Sequence, residues 1–319
     1  MFSIYALAIS CGSSSVDKES RLAISGGKKI DDTAPLQVKK SVVAIAKNPD
    51  FYSEVSGHRS SYCSGVIIAE NIVLTAAHCA DIRAATLIVF GDELRVSAKE
   101  PAKYSRQVTQ AIKHPGYPDR IIYENAMEII RNDFIDSPDS WLRDNPGKKP
   151  NDLALLKFSG ELPKGYGPAN LDFRTELPAG TKATLAGYGI TRTTNIADTT
   201  HLRWVDEVNV HVSSEEANAR SWHLVGDTVG LDDLTSGEHA RGACSGDSGG
   251  PAFVDVGGEL KVSGILSLGE INNISAGSPA YFCLAHKTGE ESKPGNIYTK
   301  IGDYRDWLIE ASSRLGAEL

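Results

Sequence analysis

The chain has 319 residues, of which 41% are hydrophobic and 23% are charged, a balance typical of a soluble globular protein with a buried core. The formal net charge of -8 argues against electrostatic nucleic-acid binding, which normally needs a basic surface, and the sequence has no basic cluster of that kind. No segment has the roughly 18 to 20 consecutive apolar residues that cross a bilayer as a helix.

The chain begins with a short apolar stretch, MFSIYALAISCGSSS, in which a small residue precedes Cys11. The run LAISC resembles the end of a bacterial lipoprotein signal, in which Cys11 would be acylated. A basic n-region is missing, and the stretch before Cys11 is short for a signal. Two hypotheses therefore stay open for this leader: a lipid anchor at Cys11, or a cytosolic tail.

Short runs rich in Val, Ile, Leu and Thr follow, separated by Gly, Pro and Asn, a pattern typical of the strands of a barrel or sandwich. In chain order the predicted strands lie in SVVAIA, GVIIAENIVLTAA, ATLIVFG, NDLALLKF, ATLAGYG, LRWVDEVNVHV, GGELKVSGILSLG and NIYTKI. Residues 116–150 are polar and Pro-rich, which predicts an inserted surface loop. The last segment, IGDYRDWLIEASSRLG, has apolar residues at helical spacing and predicts an amphipathic C-terminal helix over about 302–315.

The stretch RGACSGDSGGPAF places Ser248 in a run of glycines. Clustered glycines mark backbone in a geometry that a Cβ would forbid, or backbone brought close to a ligand. If Ser248 is a nucleophile, the chain must also supply a general base, a group that orients the base, and donors for an oxyanion.

His78 is the candidate base because it closes an apolar strand, NIVLTAAHC, where a rigid element could hold its ring. A lone histidine on such a strand is more often a buried core residue, but Cys79 follows it directly. With Cys63, Cys79 could close a small loop that staples the turn carrying His78, a bridge worth roughly 2 to 4 kcal/mol.

Two Asn-Asp pairs offer a candidate orienting acid, Asp133 in RNDF and Asp152 in NDLALLKF. Asp152 leads directly into an apolar run, which would set its carboxylate at the edge of a buried strand, within reach of an imidazole. Asp133 lies in the inserted loop, where a solvated surface aspartate is expected.

The motifs LTAAHC, NDLALL and GDSGGP, in this order and with VSGILSLG and PGNIYTKI downstream, are similar to those of the trypsin and chymotrypsin family of serine endopeptidases. The resemblance runs from Ile24 onward. It implies an all-β fold of two six-stranded antiparallel Greek-key barrels, about 24–160 and about 175–300, with the active site between them, after a leader or propeptide of residues 1–23.

The resemblance also implies the roles of the site residues. Ser248 would attack the scissile carbonyl, His78 would accept its proton, and Asp152 would stabilise the imidazolium. The N–H groups of Gly246 and Ser248 would bind the oxyanion. The expected partners are protein or peptide substrates and protein inhibitors, with no cofactor, no metal, no nucleic acid, and no membrane contact except through the leader.

The run ISGG, followed by APLQV, resembles the mature N-terminus of this family. We therefore expect a zymogen that is cut between Ala23 and Ile24, after which the new ammonium group of Ile24 pairs with Asp247. We expect the product to be exported, as a secreted, periplasmic or cell-envelope protein.

The resemblance pairs Cys244 with Cys283, across the specificity pocket. With Cys63 paired to Cys79, Cys11 then has no partner among the five cysteines of the chain. Cleavage would consequently release the leader, and any lipid anchor with it.

The primary pocket is predicted from the same motifs. Gly242 corresponds to the pocket floor, and Gly269 with Gly295 or Asn296 corresponds to its walls, so we expect an uncharged, small or apolar residue before the cut. Glu270, in a lengthened segment, is the alternative source of a carboxylate.

Three further positions stand in or beside the motifs of the resemblance. Ser267 corresponds to the family serine that hydrogen-bonds the catalytic aspartate. Leu268 and Tyr188 stand where family members commonly have Trp.

Two other classes of function are alternatives to a peptidase. A binding or adhesion module on the same fold would lack catalysis, although every member of the triad is present here. An α/β-hydrolase esterase would have the chain order Ser, Asp, His, whereas this chain has His, Asp, Ser.

Overall fold

The computed structural model describes residues 24, 27–47, 63–80, 86–93, 104–117, 151–189, 201–212, 221–225, 242–244, 246–269 and 296–319. The strands in these ranges are β1 Lys28–Lys29, β2 Val42–Lys47, β3 Cys63–Ala69, β4 Ile72–Thr75, β5 Thr86–Val89, β6 Ser105–Lys113, β7 Ala154–Phe158, β8 Lys182–Gly187, β9 Arg203–Val212, β10 Ser221–Val225, β11 Pro251–Asp255, β12 Leu260–Gly269 and β13 Asn296–Lys300. The α-helices in the same ranges are α1 Leu36–Ser41 and α2 Arg305–Arg314.

The first barrel closes in the strand order β2-β3-β4-β7-β6-β5, with every pairing antiparallel. All residues of β3 and β4 are buried, so these strands read as continuous apolar runs without alternation. The predicted run GVIIAENIVLTAA divides into β3 and β4 at the turn formed by Glu70 and Asn71.

The second barrel contains β8 to β13 in the order β9-β10-β13-β12-β11-β8, and a direct pairing of β8 with β9 closes the ring. β1 adds to the outer part of β9, where Lys28 faces Trp204 and Lys29 faces Arg203. The prediction of two six-stranded antiparallel barrels is confirmed.

The C-terminal segment leaves β13 through a 3-10 turn, Ile301–Tyr304, and continues as α2, which confirms the predicted C-terminal helix. Leu308 and Leu315 are buried in the core that includes the first barrel. Lys157 on β7 donates a hydrogen bond to the Leu315 carbonyl at 2.6 Å. The helix therefore returns from the second barrel and packs against the first.

Ser64, on β3, joins the two barrels at the loop that carries Ser248. Its backbone N–H donates to the Ser248 carbonyl at 2.8 Å, and its hydroxyl donates to the Gly246 carbonyl at 3.0 Å. The same hydroxyl accepts a hydrogen bond from the Tyr188 N–H at 2.9 Å. Ser64 is not among the predicted site residues, and its signal in the sequence is a polar residue inside an otherwise apolar strand.

Several predicted features lie outside the described residues: Cys11, Ala23, Asp133, Glu270, Cys283, Gly295 and all but the first two residues of the insertion 116–150. Within the ranges given above, no helix is both long and apolar enough to cross a membrane.

Candidate active site

His78 lies in a short 3-10 turn, Ala77–Cys79, directly after β4. A disulfide joins Cys79 to Cys63 at the start of β3, with a Cα–Cα distance of 6.0 Å. The two cysteines are 16 residues apart in the chain, and a bridge that closes a loop of about this length contributes about 3 kcal/mol in the chain-entropy model. The turn that carries His78 is thus covalently tied to the neighbouring strand.

Asp152 precedes β7 and is only 2% exposed. Its carboxylate accepts two hydrogen bonds from His78, one from the backbone N–H at 3.0 Å and one from ring Nδ1 at 2.8 Å. A third comes from the Ser267 hydroxyl at 2.7 Å. Because a buried carboxylate must be paired or hydrogen-bonded, these three donors fix the imidazole and the carboxylate against each other.

Ser267 reaches Asp152 because β12 is irregular at this point. The register between β12 and β13 shifts between Leu266 and Leu268, which leaves Ser267 as the extra residue. A bulge of this kind re-aims a side chain, and here the serine of the second barrel turns toward a carboxylate of the first.

The His78 and Asp152 pair shifts the pKa of both groups. Burial by itself lowers the pKa of His78. The charge of the adjacent Asp152 carboxylate and its hydrogen bond together raise the pKa by more than burial lowers it, so the pKa lies above the ordinary 6.5. Burial raises the pKa of Asp152, while the charge of His78 and the hydrogen bonds from His78 and Ser267 bring it below its ordinary value. With Nδ1–H held by Asp152, the neutral ring presents the Nε2 lone pair as its acceptor.

The loop that carries Ser248 packs directly on the turn that carries His78. The Cys79 sulfur lies 3.6 Å from the Ser248 carbonyl oxygen. Gly249 has a φ of +78°, and a Cβ there would lie 2.5 Å from the Ser64 carbonyl oxygen and 3.0 Å from the Ala76 nitrogen. Only glycine allows this approach, which brings Ser248 beside the end of β4.

The backbone N–H groups of the same loop divide into two sets. The N–H groups of Asp247, Gly249 and Gly250 donate to backbone carbonyls. Those of Gly246 and Ser248 have no acceptor among the described residues. Gly246 has a φ of +94°, and a Cβ there would approach the Gly189 Cα to 3.0 Å.

Asp247 is 1% exposed. Its carboxylate accepts hydrogen bonds from the backbone N–H groups of Gly189 at 2.7 Å and Cys244 at 2.8 Å. Burial raises the pKa of Asp247 to about 7, against the lowering effects of those two hydrogen bonds and of the positive charge of Arg203.

The region predicted as the specificity pocket contains Asn296. Its Oδ1 accepts from the Ala243 N–H at 2.8 Å, and its Nδ2 donates to the Ala243 carbonyl at 3.3 Å. A Cβ on Gly242 would lie 2.7 Å from the same Oδ1, and Asn296 pairs across the sheet with Gly269. The structure thus brings Gly242, Gly269 and Asn296 together. Cys244, at the same wall, is disulfide-bonded.

One group in the described ranges has the spacing of metal ligands, formed by Cys63, His78 and Cys79. Both sulfur atoms are committed to the disulfide, so this group cannot supply thiolate ligands.

Two antiparallel barrels define the class of two-barrel serine proteases when, at their junction, a histidine bonded to a buried aspartate faces a glycine-rich serine loop. The model of the trypsin family matches residues 46–308, and the chain belongs to this family. It is a serine endopeptidase.

Individual relatives agree with this assignment. Granzyme M of Rattus norvegicus is 29% identical over 85% of this chain and 87% of the relative. Renal glandular kallikrein of Mastomys natalensis is 29% identical over 77% of this chain and 78% of the relative. Phenoloxidase-activating factor 1 of Holotrichia diomphalia is 26% identical over 87% of this chain and 67% of the relative. These relatives are animal proteins, and they do not support the bacterial origin suggested by the leader.

The first prediction concerns the coupling of His78 to Asp152. In Asp152→Asn the charge and the charged hydrogen bond are lost while burial remains, so the pKa of His78 should fall from above 6.5 by about one unit or more. NMR titration of the imidazole measures this shift. Asp172→Asn is the matched control, because Asp172 is also buried but is bonded to Arg174 and Ser263. An unchanged His78 pKa in Asp152→Asn would contradict the coupling.

Proposed function

We propose that Ser248, His78 and Asp152 hydrolyse peptide bonds through an acyl-enzyme. Ser248 Oγ attacks the carbonyl carbon while His78 Nε2 takes its proton. His78 then returns the proton to the leaving amine, and water repeats the sequence on the ester. The observation that carries the proposal is that Asp152 accepts both N–H groups of His78, which sets the ring orientation and stabilises the imidazolium.

The transfer requires a hydrogen bond between Ser248 Oγ and His78 Nε2. In enzymes without substrate this bond is often long and tightens in the complex. Because the transfer needs a neutral imidazole, the raised pKa of His78 also sets the lower pH limit of activity.

We assign the oxyanion hole to the N–H groups of Gly246 and Ser248. The support is that both point to no carbonyl or carboxylate among the described residues and belong to a loop held by Ser64 and Leu266. Such preorganised donors are worth about 3 to 4 kcal/mol each in the transition state.

The second prediction separates an enzyme from an inactive binding module on the same fold. A serine-directed phosphonate should label the processed chain at one site, and Ser248→Ala should abolish both labelling and peptide hydrolysis, with a loss of about 10⁶-fold in kcat. Ser159→Ala is the control, because Ser159 is exposed. A processed chain that binds peptides and takes up no phosphonate would support the binding module instead.

We further propose that the residue before the cut is uncharged and small or apolar. Asn296 Oδ1 lies against Gly242, the position that corresponds to the pocket floor, and is held by Ala243. A neutral amide therefore lies beside this position. Gly242, Ala243 and Asn296, the described residues at this place, offer a Lys or Arg side chain no counter-charge, and burial of an unpaired charge is costly.

The third prediction tests this pocket. A peptide-library profile should show cleavage after small or apolar residues. Asn296→Asp keeps the Oδ1 acceptor for Ala243 and adds a charge, so it should raise kcat/KM for basic residues relative to apolar ones by about tenfold or more. Asn209→Asp makes the same charge change where the side chain faces Lys182 and should leave the profile unchanged. A wild-type preference for Lys or Arg would refute the assignment.

We also propose that the chain is a zymogen, cut between Ala23 and Ile24, whose new ammonium group pairs with Asp247. Two observations support this: the Ile24 side chain is buried among residues of the second barrel, and Asp247 is a buried carboxylate whose pKa is raised by that burial to about 7. A cation at Asp247 would stabilise its ionised form and so the loop around Ser248.

The fourth prediction is that residues 1–23 are absent from the active protein. The active protein should begin Ile-Ser-Gly-Gly by N-terminal sequencing. If the exported precursor is anchored through Cys11, the Ser248→Ala precursor should sediment with membranes and Cys11→Ala should release it. A mature protein that retains residues 1–23 would overturn the activation scheme, and an equally soluble precursor with Cys11 intact would exclude the anchor.

A further inference from the structure

We infer that Arg203 is a built-in cation for Asp247, a positioning residue that supports the loop of Ser248 before the chain is cut and gives the uncut chain a basal peptidase activity. The inference rests on the proposed function, since it concerns the regulation of that site.

The register of the second barrel sets Arg203 on the same face of the sheet as Asp247. Arg203 begins β9 and is the direct antiparallel partner of Gly187 on β8. Direct partners project their Cβ atoms to the same face, about 4.5 to 5.5 Å apart. A Cβ on Gly187 would lie 3.0 Å from the Asp247 carboxyl carbon. The side chain of Arg203 therefore starts one strand away from that carboxylate.

Burial strengthens the electrostatic interaction between Arg203 and Asp247. Arg203 is only 2% exposed and Asp247 1%, so their charges interact with little screening by water. The charge of Arg203 lowers the pKa of Asp247 against the effect of burial, which means that Arg203 favours the ionised carboxylate. That carboxylate is the acceptor for the N–H groups of Gly189 and Cys244, which frame the loop before Ser248.

Ile24 can perform this task only after cleavage. In the uncut chain its nitrogen is part of a peptide bond and carries no charge. Ile24 lies four residues before Lys28, the first residue of β1. The next residue, Lys29, is the direct antiparallel partner of Arg203, and β1 pairs with the edge of β9 opposite to β8. Ile24 therefore precedes the strand that pairs with Arg203, and its ammonium group would exist only in the cut chain, whereas the guanidinium of Arg203 is present before and after the cut.

The two stages predict different activities. A guanidinium stays protonated at any pH that the protein tolerates, so Arg203 acts in the uncut chain. It acts through its charge alongside the two backbone donors, whereas a new N-terminus at Ile24 would add a second cation. The uncut chain should therefore be active and the cut chain more active, which would allow one precursor to cut another.

The fifth prediction requires the same protein before and after cleavage. Residues 19–23 are replaced by the recognition sequence of a site-specific protease that cuts before Ile24, and hydrolysis is measured per phosphonate-titrated site in both forms. In the uncut form Arg203→Met should lower kcat by about tenfold or more, because one pKa unit of charge stabilisation corresponds to a factor of ten. Arg203→Lys should restore most of it. In the cut form Arg203→Met should stay within about twofold of wild type.

Arg174→Met is the matched control, because Arg174 is bonded to Asp172 away from the site, and it should change neither form. An equal loss in both forms with Arg203→Met, or no recovery with lysine, would reduce Arg203 to a structural residue and overturn the inference. An uncut wild type as inactive as Ser248→Ala, with an active cut form, would overturn the inference and leave the proposed function standing. Inactivity of both forms would overturn both.

Discussion

The buried carboxylate of Asp152 is the constraint on which the site depends. It is removed from water, so its oxygens need hydrogen-bond donors from the protein. The donors come from both barrels: His78 follows β4 of the first, and Ser267 lies on β12 of the second. Neither barrel alone could satisfy the group. The site therefore exists only where the barrels meet, and the demands of one ionised side chain contribute to their alignment.

The second buried carboxylate, Asp247, has the opposite character. Asp152 has an imidazole in direct contact, and its pKa is lowered, whereas Asp247 has two neutral backbone donors in contact and a pKa raised to about 7. Because the pKa of Asp247 lies near neutral pH, any further charge nearby changes the fraction of Asp247 that is ionised. This difference agrees with the catalytic role proposed for Asp152 and the regulatory role proposed for Asp247, although both are almost completely buried.

Local sequence was enough for the strands whose apolar runs are continuous and for the C-terminal helix. It was insufficient for β6, which reads SRQVTQAIK with an interrupted burial pattern, and for β11, whose five residues start with the proline of the GDSGGP motif. In the site, Asp152 could be chosen because an apolar strand follows it. Asn296 and Gly295 are alternatives in the sequence, because one extra residue in a loop changes which of them lies at the pocket wall. The structure shows Asn296 paired with Gly269, a contact set by the sheet register that local sequence does not give.

Arg203 shows what local patterns cannot reveal. In LRWVDEVNVHV it reads as one polar residue of a strand, and nothing nearby in sequence indicates a buried charge. Its meaning comes from two distant glycines: Gly187 leaves room above β8 for the Asp247 carboxylate, and Gly189 donates a backbone N–H to it. A side chain at Gly187 would occupy the space in which the carboxylate lies. The absence of a side chain at one position thus brings an aspartate within the influence of an arginine on the next strand. Such a relationship is carried by the register of the sheet, so it appears only when the barrel is closed.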